Sequence, residues 1–230
     1  MSFLHTVRSA FLEILAFSFC YLILFFQKSW KWKKYLSKRG IILVHGYLNN
    51  ASALFYHGHQ LSKAGFGPIR AVNLGNPFLS IEEYALRLKK KIEKMQQEFN
   101  LDEVVIIGHS MGGLVASYFA LYLDDKKLVR RIISLGTPFQ GTKVAKIGLG
   151  KCVKEMESNS PFLQKLLKDL MSQRQLRIDQ VATSFDQIVI PYTSSLLDKE
   201  LGSRYVLEDL GHAALLFSGR VNSKMVSWLL

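Results

Sequence analysis

From residue 40 onward, short, wholly apolar runs alternate with longer stretches whose apolar residues recur every three or four positions. Gly40-Ile41-Ile42-Leu43-Val44 is the first such run and ends at His45-Gly46. A run without polar alternation belongs to a strand covered on both faces. A helix is expected from Phe55 to Lys63, stopped near Gly65, and a second strand over Ile69 to Leu74, ended by Gly75 and Pro77. Ser80-Ile81-Glu82-Glu83 has the form of a capping box, serine at the N-cap and glutamate three residues on. It opens a helix through Ala85, Leu88, Ile92 and Met95. Val104 to Ile107 and Ile132 to Leu135 read as further strands, with a helix from Leu114 to Leu123 between them. Ile178 to Thr183 and Arg204 to Leu207 are strand-like as well. This alternation predicts the α/β class, with a mostly parallel central sheet flanked by helices. No internal repeat or low-complexity linker breaks the series, so residues 40–230 are expected to form one domain. The stretch 143–177 departs from the alternation. Ser160-Pro161 starts a helix through Leu163, Leu166, Leu167 and Leu170, which predicts a small helical cap or an ordinary crossover helix.

Residues 1–39 are patterned differently. From Phe11 to Phe26 the chain is almost continuously apolar, with Glu13 its one charge. As a helix this stretch spans about 24 Å, slightly short of a bilayer's hydrocarbon core. No small-residue cleavage site follows it. Instead comes Gln27-Lys28-Ser29-Trp30-Lys31-Trp32-Lys33-Lys34-Tyr35, aromatic residues mixed with cations. The reading is an N-terminal hydrophobic helix acting as an uncleaved membrane anchor through residues 11–26 and the basic flank. Lys28, Lys31, Lys33, Lys34, Lys38 and Arg39 follow the apolar run, so the positive-inside tendency keeps the domain of residues 40–230 on the cytoplasmic side. A helix lying in the interface plane, or packed on the domain or on a partner, satisfies the same pattern. The net charge of +12 adds attraction to anionic surfaces. Without a helix-turn-helix, zinc-finger or RNP pattern, that charge does not indicate nucleic-acid binding. The two cysteines, Cys20 and Cys152, read as unpaired.

The chemistry concentrates at Gly108-His109-Ser110-Met111-Gly112, followed by Gly113. The motif falls between an apolar strand and an apolar-periodic helix, the strand–turn–helix setting that exposes a serine at the end of a sheet. A serine hydroxyl needs a base to take its proton. Of six histidines, His212 is the expected base, in a Gly211-His212 turn after a strand and before the last helix. His5 precedes the apolar segment, His109 points away from the serine, His57 and His59 lie on a helix, and His45 suits the oxyanion loop better. The base needs an acid to fix its tautomer. Asp179, Asp186, Asp198 and Asp209 fall in the interval where serine–acid–histidine order places it, and Asp186, on a loop at a strand's exit, is best placed. The backbone N–H groups of Met111 and of Tyr47, in the His45-Gly46-Tyr47 loop, are the expected oxyanion donors.

With these residues in hand the chain resembles the bacterial lipase and esterase (triacylglycerol lipase-like) branch of the α/β-hydrolases. The likeness rests on Val44-His45-Gly46-Tyr47, Gly108 to Gly113, Leu135-Gly136-Thr137-Pro138 with Gly141-Thr142, Asp186 to Pro191 and Gly211-His212, in that order. It covers almost everything from Gly40 onward and leaves the N-terminal segment outside. The resemblance implies the α/β-hydrolase fold. It also implies cleavage of carboxylic, lipid-like esters through an acyl-enzyme on Ser110, without metal or cofactor. A thioesterase or acyltransferase would use the same triad, and a non-catalytic binding module would be expected to lack one of its members. Phe139, where relatives often carry histidine, is a departure, as is the less polar turn Thr183-Ser184-Phe185-Asp186.

Overall fold

The computed structural model describes residues 3–23, 30–32, 37–173 and 175–230. Its core is a seven-stranded sheet in the order β1-β3-β2-β4-β5-β6-β7. The strands are β1 (Trp30–Trp32), β2 (Arg39–Val44), β3 (Ile69–Val72), β4 (Glu103–His109), β5 (Val129–Leu135), β6 (Arg177–Thr183) and β7 (Arg204–Leu207). All neighbours pair in parallel except β1, which runs antiparallel to β3 on the edge. The helices are α1 (Phe3–Ile23), α2 (Phe55–Lys63), α3 (Ile81–Phe99), α4 (Met111–Tyr122), α5 (Lys151–Glu155), α6 (Pro161–Ser172) and α7 (Gly219–Leu229).

The apolar runs are double-faced because both faces of the sheet are covered. Ile42, Val44, Val104 and Ile106 point into a core shared with α3, α4 and α6. Their neighbours Ile41, Leu43, Val105 and Ile107 point into the opposite core, shared with α2, α7 and the turn 214–217. Successive strand residues face opposite sides, so a strand between two helical layers is apolar at most positions.

Local signals produce the helices at the expected places. Ser80 Oγ accepts from the Glu83 N–H at 3.1 Å, while a Glu83 carboxylate oxygen accepts from the Ser80 N–H at 2.9 Å, so the capping box is formed. Pro161 stands in the first turn of α6 behind Ser160, whose Oγ accepts from the Leu163 N–H. Leu163, Leu166 and Leu170 are buried, and Phe162 stacks on Tyr118 of α4 with centroids 5.9 Å apart. Helix α6 is thus the crossover between β5 and β6. The turn 143–147 and the loop to Gly150 form a rim, where Ile147 and Leu149 are exposed and the Tyr47 hydroxyl donates to the Leu149 carbonyl at 2.8 Å.

The N-terminal segment departs most from its sequence reading. Residues 24–26 of the apolar run, and Lys28, Lys33 and Lys34 of the basic flank, lie outside the described residues. Trp30 and Trp32, expected at a membrane interface, belong to edge strand β1 and pack on Phe55 of α2 at centroid distances of 4.6 and 5.7 Å. Among the described residues no helix is long and apolar enough to cross a membrane, so a spanning anchor is not supported. The physical reason is visible in α1. Ser9, Glu13 and Ala16, on one helical face, are buried, and α1 packs on the turns 51–54 and 214–217. A packed helix was one of the two other forms the sequence allowed. Val7, Phe11, Ile14, Leu15 and Leu22 remain exposed.

Candidate active site

After β3 the chain crosses to the far side of β2 to form β4, so the direction of winding reverses between β2 and β4. At such a switch point the loops leaving the strands' carboxyl ends diverge and open a crevice. Both loops carry predicted residues: Gly46 and Tyr47 follow β2, and Ser110 follows β4.

Ser110 sits at φ 54°, ψ −127°, between the last residue of β4 and the first of α4. This conformation is costly for a residue with a Cβ and is held by its surroundings. The Ser110 N–H donates to the Leu135 carbonyl at 2.8 Å, and its own carbonyl accepts from the Gly113 N–H at 3.0 Å. The flanking glycine is a packing requirement, since a Cβ on Gly112 would collide with the Val44 carbonyl. Helix α4 can therefore start directly beneath the serine. Met111 is its first residue, and a helix's first N–H has no partner within the helix.

Asp186 lies three residues past the end of β6. One carboxylate oxygen accepts from the N–H groups of Ile188 (2.9 Å) and Val189 (2.7 Å). The other lies 2.8 Å from His212 Nδ1. Both side chains are buried. The arrangement fixes the tautomer: Nδ1–H donates to the carboxylate, leaving Nε2 as the ring's acceptor. Burial alone would lower the His212 pKa. The charge and hydrogen bond of Asp186, with the charge of Glu13 added, outweigh burial, and the net shift is upward. Gly136, at φ +58°, follows β5, and a Cβ there would stand 3.1 Å from the His212 ring. A side chain at this position would crowd the imidazole.

Three other histidines surround this group, each neutral for a stated reason. His45 donates from Nδ1 to the Gly46 carbonyl at 2.9 Å and accepts from the Leu74 N–H at Nε2. Burial lowers its pKa to about 4. His57 donates from Nε2 to the Leu215 carbonyl at 2.9 Å and is also lowered to about 4 by burial. His109, buried and pushed well below the ordinary value, places Nε2 3.2 Å from the His212 carbonyl. Together His109 and His57 brace the loop that carries His212. The sequence reading turned His109 away from the serine and gave His57 no link to the site. Neither link has a local sequence signal.

The other aspartates in the interval are committed elsewhere. Asp179 is bound by Arg177, Asp198 caps the turn 199–201, and Asp209 pairs with Arg220. Phe139, a departure from the resemblance, is wholly buried in the core. Cys152 is buried and free, its thiol pushed up to about 11 by burial. Among the described residues no group of three or more histidine, cysteine or acidic side chains could hold a metal ion.

Residues 47–187 match the model of a family described as alpha/beta hydrolase of unknown function, DUF915. The chain belongs to this family. Solved structures agree on the fold. The lin2722 product of Listeria innocua superposes with a TM-score of 0.66 at 21% identity, covering 84% of this hydrolase and 94% of that chain. The Bacillus licheniformis lipase BlEst2 in mature form gives a TM-score of 0.71 at 15% identity, covering 88% and 98% respectively. At these identities the likeness speaks for the fold alone. Among curated proteins, Phospholipase A(1) LCAT3 of Arabidopsis thaliana is 44% identical over 64 residues, 26% of this chain. The hydrolase spans only 14% of that protein's length.

Proposed function

We propose that this hydrolase cleaves carboxylic esters, lipid-like ones by preference, through an acyl-enzyme on Ser110. The observation that carries the reading is the buried Asp186–His212 hydrogen bond of 2.8 Å, with the His212 ring 4.7 Å from that of His109, the residue before a serine in a strained turn at the head of a helix. In this mechanism His212 Nε2 takes the Ser110 proton as Oγ attacks the ester carbonyl. The backbone N–H groups of Tyr47 and Met111 receive the oxyanion. The imidazolium, held by Asp186, then protonates the leaving alcohol, and water repeats the sequence to release the acid. The phospholipase and lipase relatives support an ester or lipid substrate.

The proposal includes association with a membrane surface rather than passage through it. The exposed Val7, Phe11, Ile14, Leu15 and Leu22 of α1 supply apolar contact, and the basic flank supplies attraction to anionic headgroups, as on a cytoplasmic leaflet.

The test is hydrolysis of p-nitrophenyl esters of increasing acyl length by the full chain and by Ser110→Ala. Loss of about 10⁵–10⁶ in kcat is expected for the variant, with labelling by a fluorophosphonate in the wild type only. Labelling at Ser110 without ester hydrolysis would redirect the assignment to thioesters or acyl transfer. A folded wild type that the probe does not label would end the serine-hydrolase reading.

A further inference from the structure

The loop carrying His212 continues into a short 3-10 turn, Ala214–Phe217, whose N-cap Ala213 has no side chain able to satisfy the turn's first N–H groups. The acceptor comes from the far end of the chain. Glu13 of α1 receives the Ala213 N–H on one oxygen at 2.8 Å and the Ala214 N–H on the other at 2.9 Å. The side chain is buried, and a Cβ on Gly211 would occupy the place of its carboxyl group. Ser9, one turn earlier, donates to the Asp209 carbonyl at 2.8 Å, so α1 holds the loop on both sides of His212.

We propose that Glu13 is a positioning residue for the catalytic base: its carboxylate fixes the His212 loop and adds negative charge behind the imidazole. The inference rests on the reading of His212 as that base. The geometry supports the ionised form. Each oxygen faces a donor, which only a carboxylate serves fully. Burial, with the charge of Asp186 added, raises the Glu13 pKa on balance, and the two backbone N–H groups and the His212 charge work against that rise. The groups facing His212 are Asp186 from the loop after β6, His109 from the end of β4 and Glu13 from α1. His57 of α2 reaches the loop at Leu215, and Arg220 of α7 is engaged with Asp209. Glu13 thus joins Asp186 as a second anionic group raising the histidine.

The experiment compares wild type, Glu13→Gln and Ser9→Ala in kcat/KM against pH, alongside an NMR titration of the His212 Cε1–H. Glutamine keeps one acceptor but sets an NH₂ against the second N–H. The expected result is a fall in kcat of about ten- to a hundredfold with little change in KM, and an acid limb moved to lower pH. The His212 titration should move in the same direction. Ser9→Ala loosens the helix without removing the charge and should lower Tm while leaving the acid limb in place. An acid limb and a His212 titration unchanged in folded Glu13→Gln would overturn the proposal, as would an equal shift in Ser9→Ala. If wild type hydrolyses no ester and escapes the fluorophosphonate, the catalytic reading fails while the His212 titration still decides the electrostatic contact. Should Glu13→Gln not fold, the ¹³C resonance of the Glu13 carboxyl in wild type decides. It is expected to inflect at the His212 pKa, and indifference to that titration would refute the contact.

Discussion

Two buried aspartates, one near the start of β6 and one just past its end, show how differently a fold uses the same side chain. Asp179 is enclosed by cations and backbone. Arg177 Nε lies 3.0 and 3.1 Å from its two oxygens, the Ser203 N–H donates at 2.9 Å, and Arg131 stands 3.8 Å away. Its partners are two guanidinium groups and a backbone N–H, so the carboxylate is a tie between β5, β6 and the strand after it. Asp186 also spends one oxygen on backbone N–H groups, but its other oxygen faces a histidine, whose charge changes near neutrality. The first site ties strands together and the second orients an imidazole. The difference follows from sheet direction, because the loops at the carboxyl ends diverge and leave room, whereas the opposite end is closed by pairs such as Arg39–Glu103 at 3.2 Å.

Replacing each aspartate by asparagine is the sharpest way to break that contrast. Asp186→Asn should cost about 10⁴ in kcat, because asparagine no longer selects the right tautomer, with only a small change in Tm. Asp179→Asn should do the reverse. Activity per folded molecule is retained, and stability to urea falls by about 2–4 kcal/mol as Arg177 loses a buried partner. Equal losses of stability from both substitutions would erase the distinction.

Acid should find the site end first. His45 and His57 are held to about 4 by burial, while unfolded histidine titrates near 6.5. Below 6.5 the unfolded chain binds protons that the native state refuses, so stability declines as pH falls toward 4. Each such histidine contributes about 1.4 kcal/mol per pH unit in that window. Denaturant melts at pH 7 and pH 5 measure the slope, and His57→Gln should flatten it by one histidine's share. A slope untouched by His57→Gln would place the acid sensitivity elsewhere.

The smallest expected effect concerns Tyr47. Its proposed contribution is a backbone N–H, while its hydroxyl only ties the Leu149 loop. Tyr47→Phe should therefore cost about 0.5–1.5 kcal/mol of local stability and change kcat less than the Asp186 substitution by orders of magnitude. A loss of kcat on that larger scale would mean that the phenol itself meets the substrate.

Much of this was legible because it is local. Val104 to Ile107 with Gly108 to Gly113 encodes a strand, a tight turn and a helix start within ten residues. Ser80 and Glu83 likewise specify their own cap. Asp186 and His212 could be placed because each follows a strand-like run, and parallel strands deliver their following loops to one end. What the sequence did not disclose lies between distant residues. β1 is three residues that become a strand only because β3 offers an open edge and Phe55 a ring to pack on. Glu13 stood out as the one charge in an apolar run, yet its partners are 200 and 201 residues away. Gly136 belonged to a recognisable block, but its reason for being glycine is the ring of His212.

The joining of α1 to the His212 loop also sets a timetable. At about 5–20 residues per second, a ribosome takes roughly 10–40 s to make the 200 residues between Glu13 and Ala213. Through that interval the helix can meet the turn 51–54, but the part of its face that docks on the turn 214–217 has no partner yet. The sheet strands can pair in order as they emerge, but this contact joins segments 200 residues apart. Assembly of the His212 loop on α1 therefore waits for the synthesis of Ala213 and Ala214. A nascent chain stalled after β6 would carry Ser110 and still lack His212, the base proposed for it.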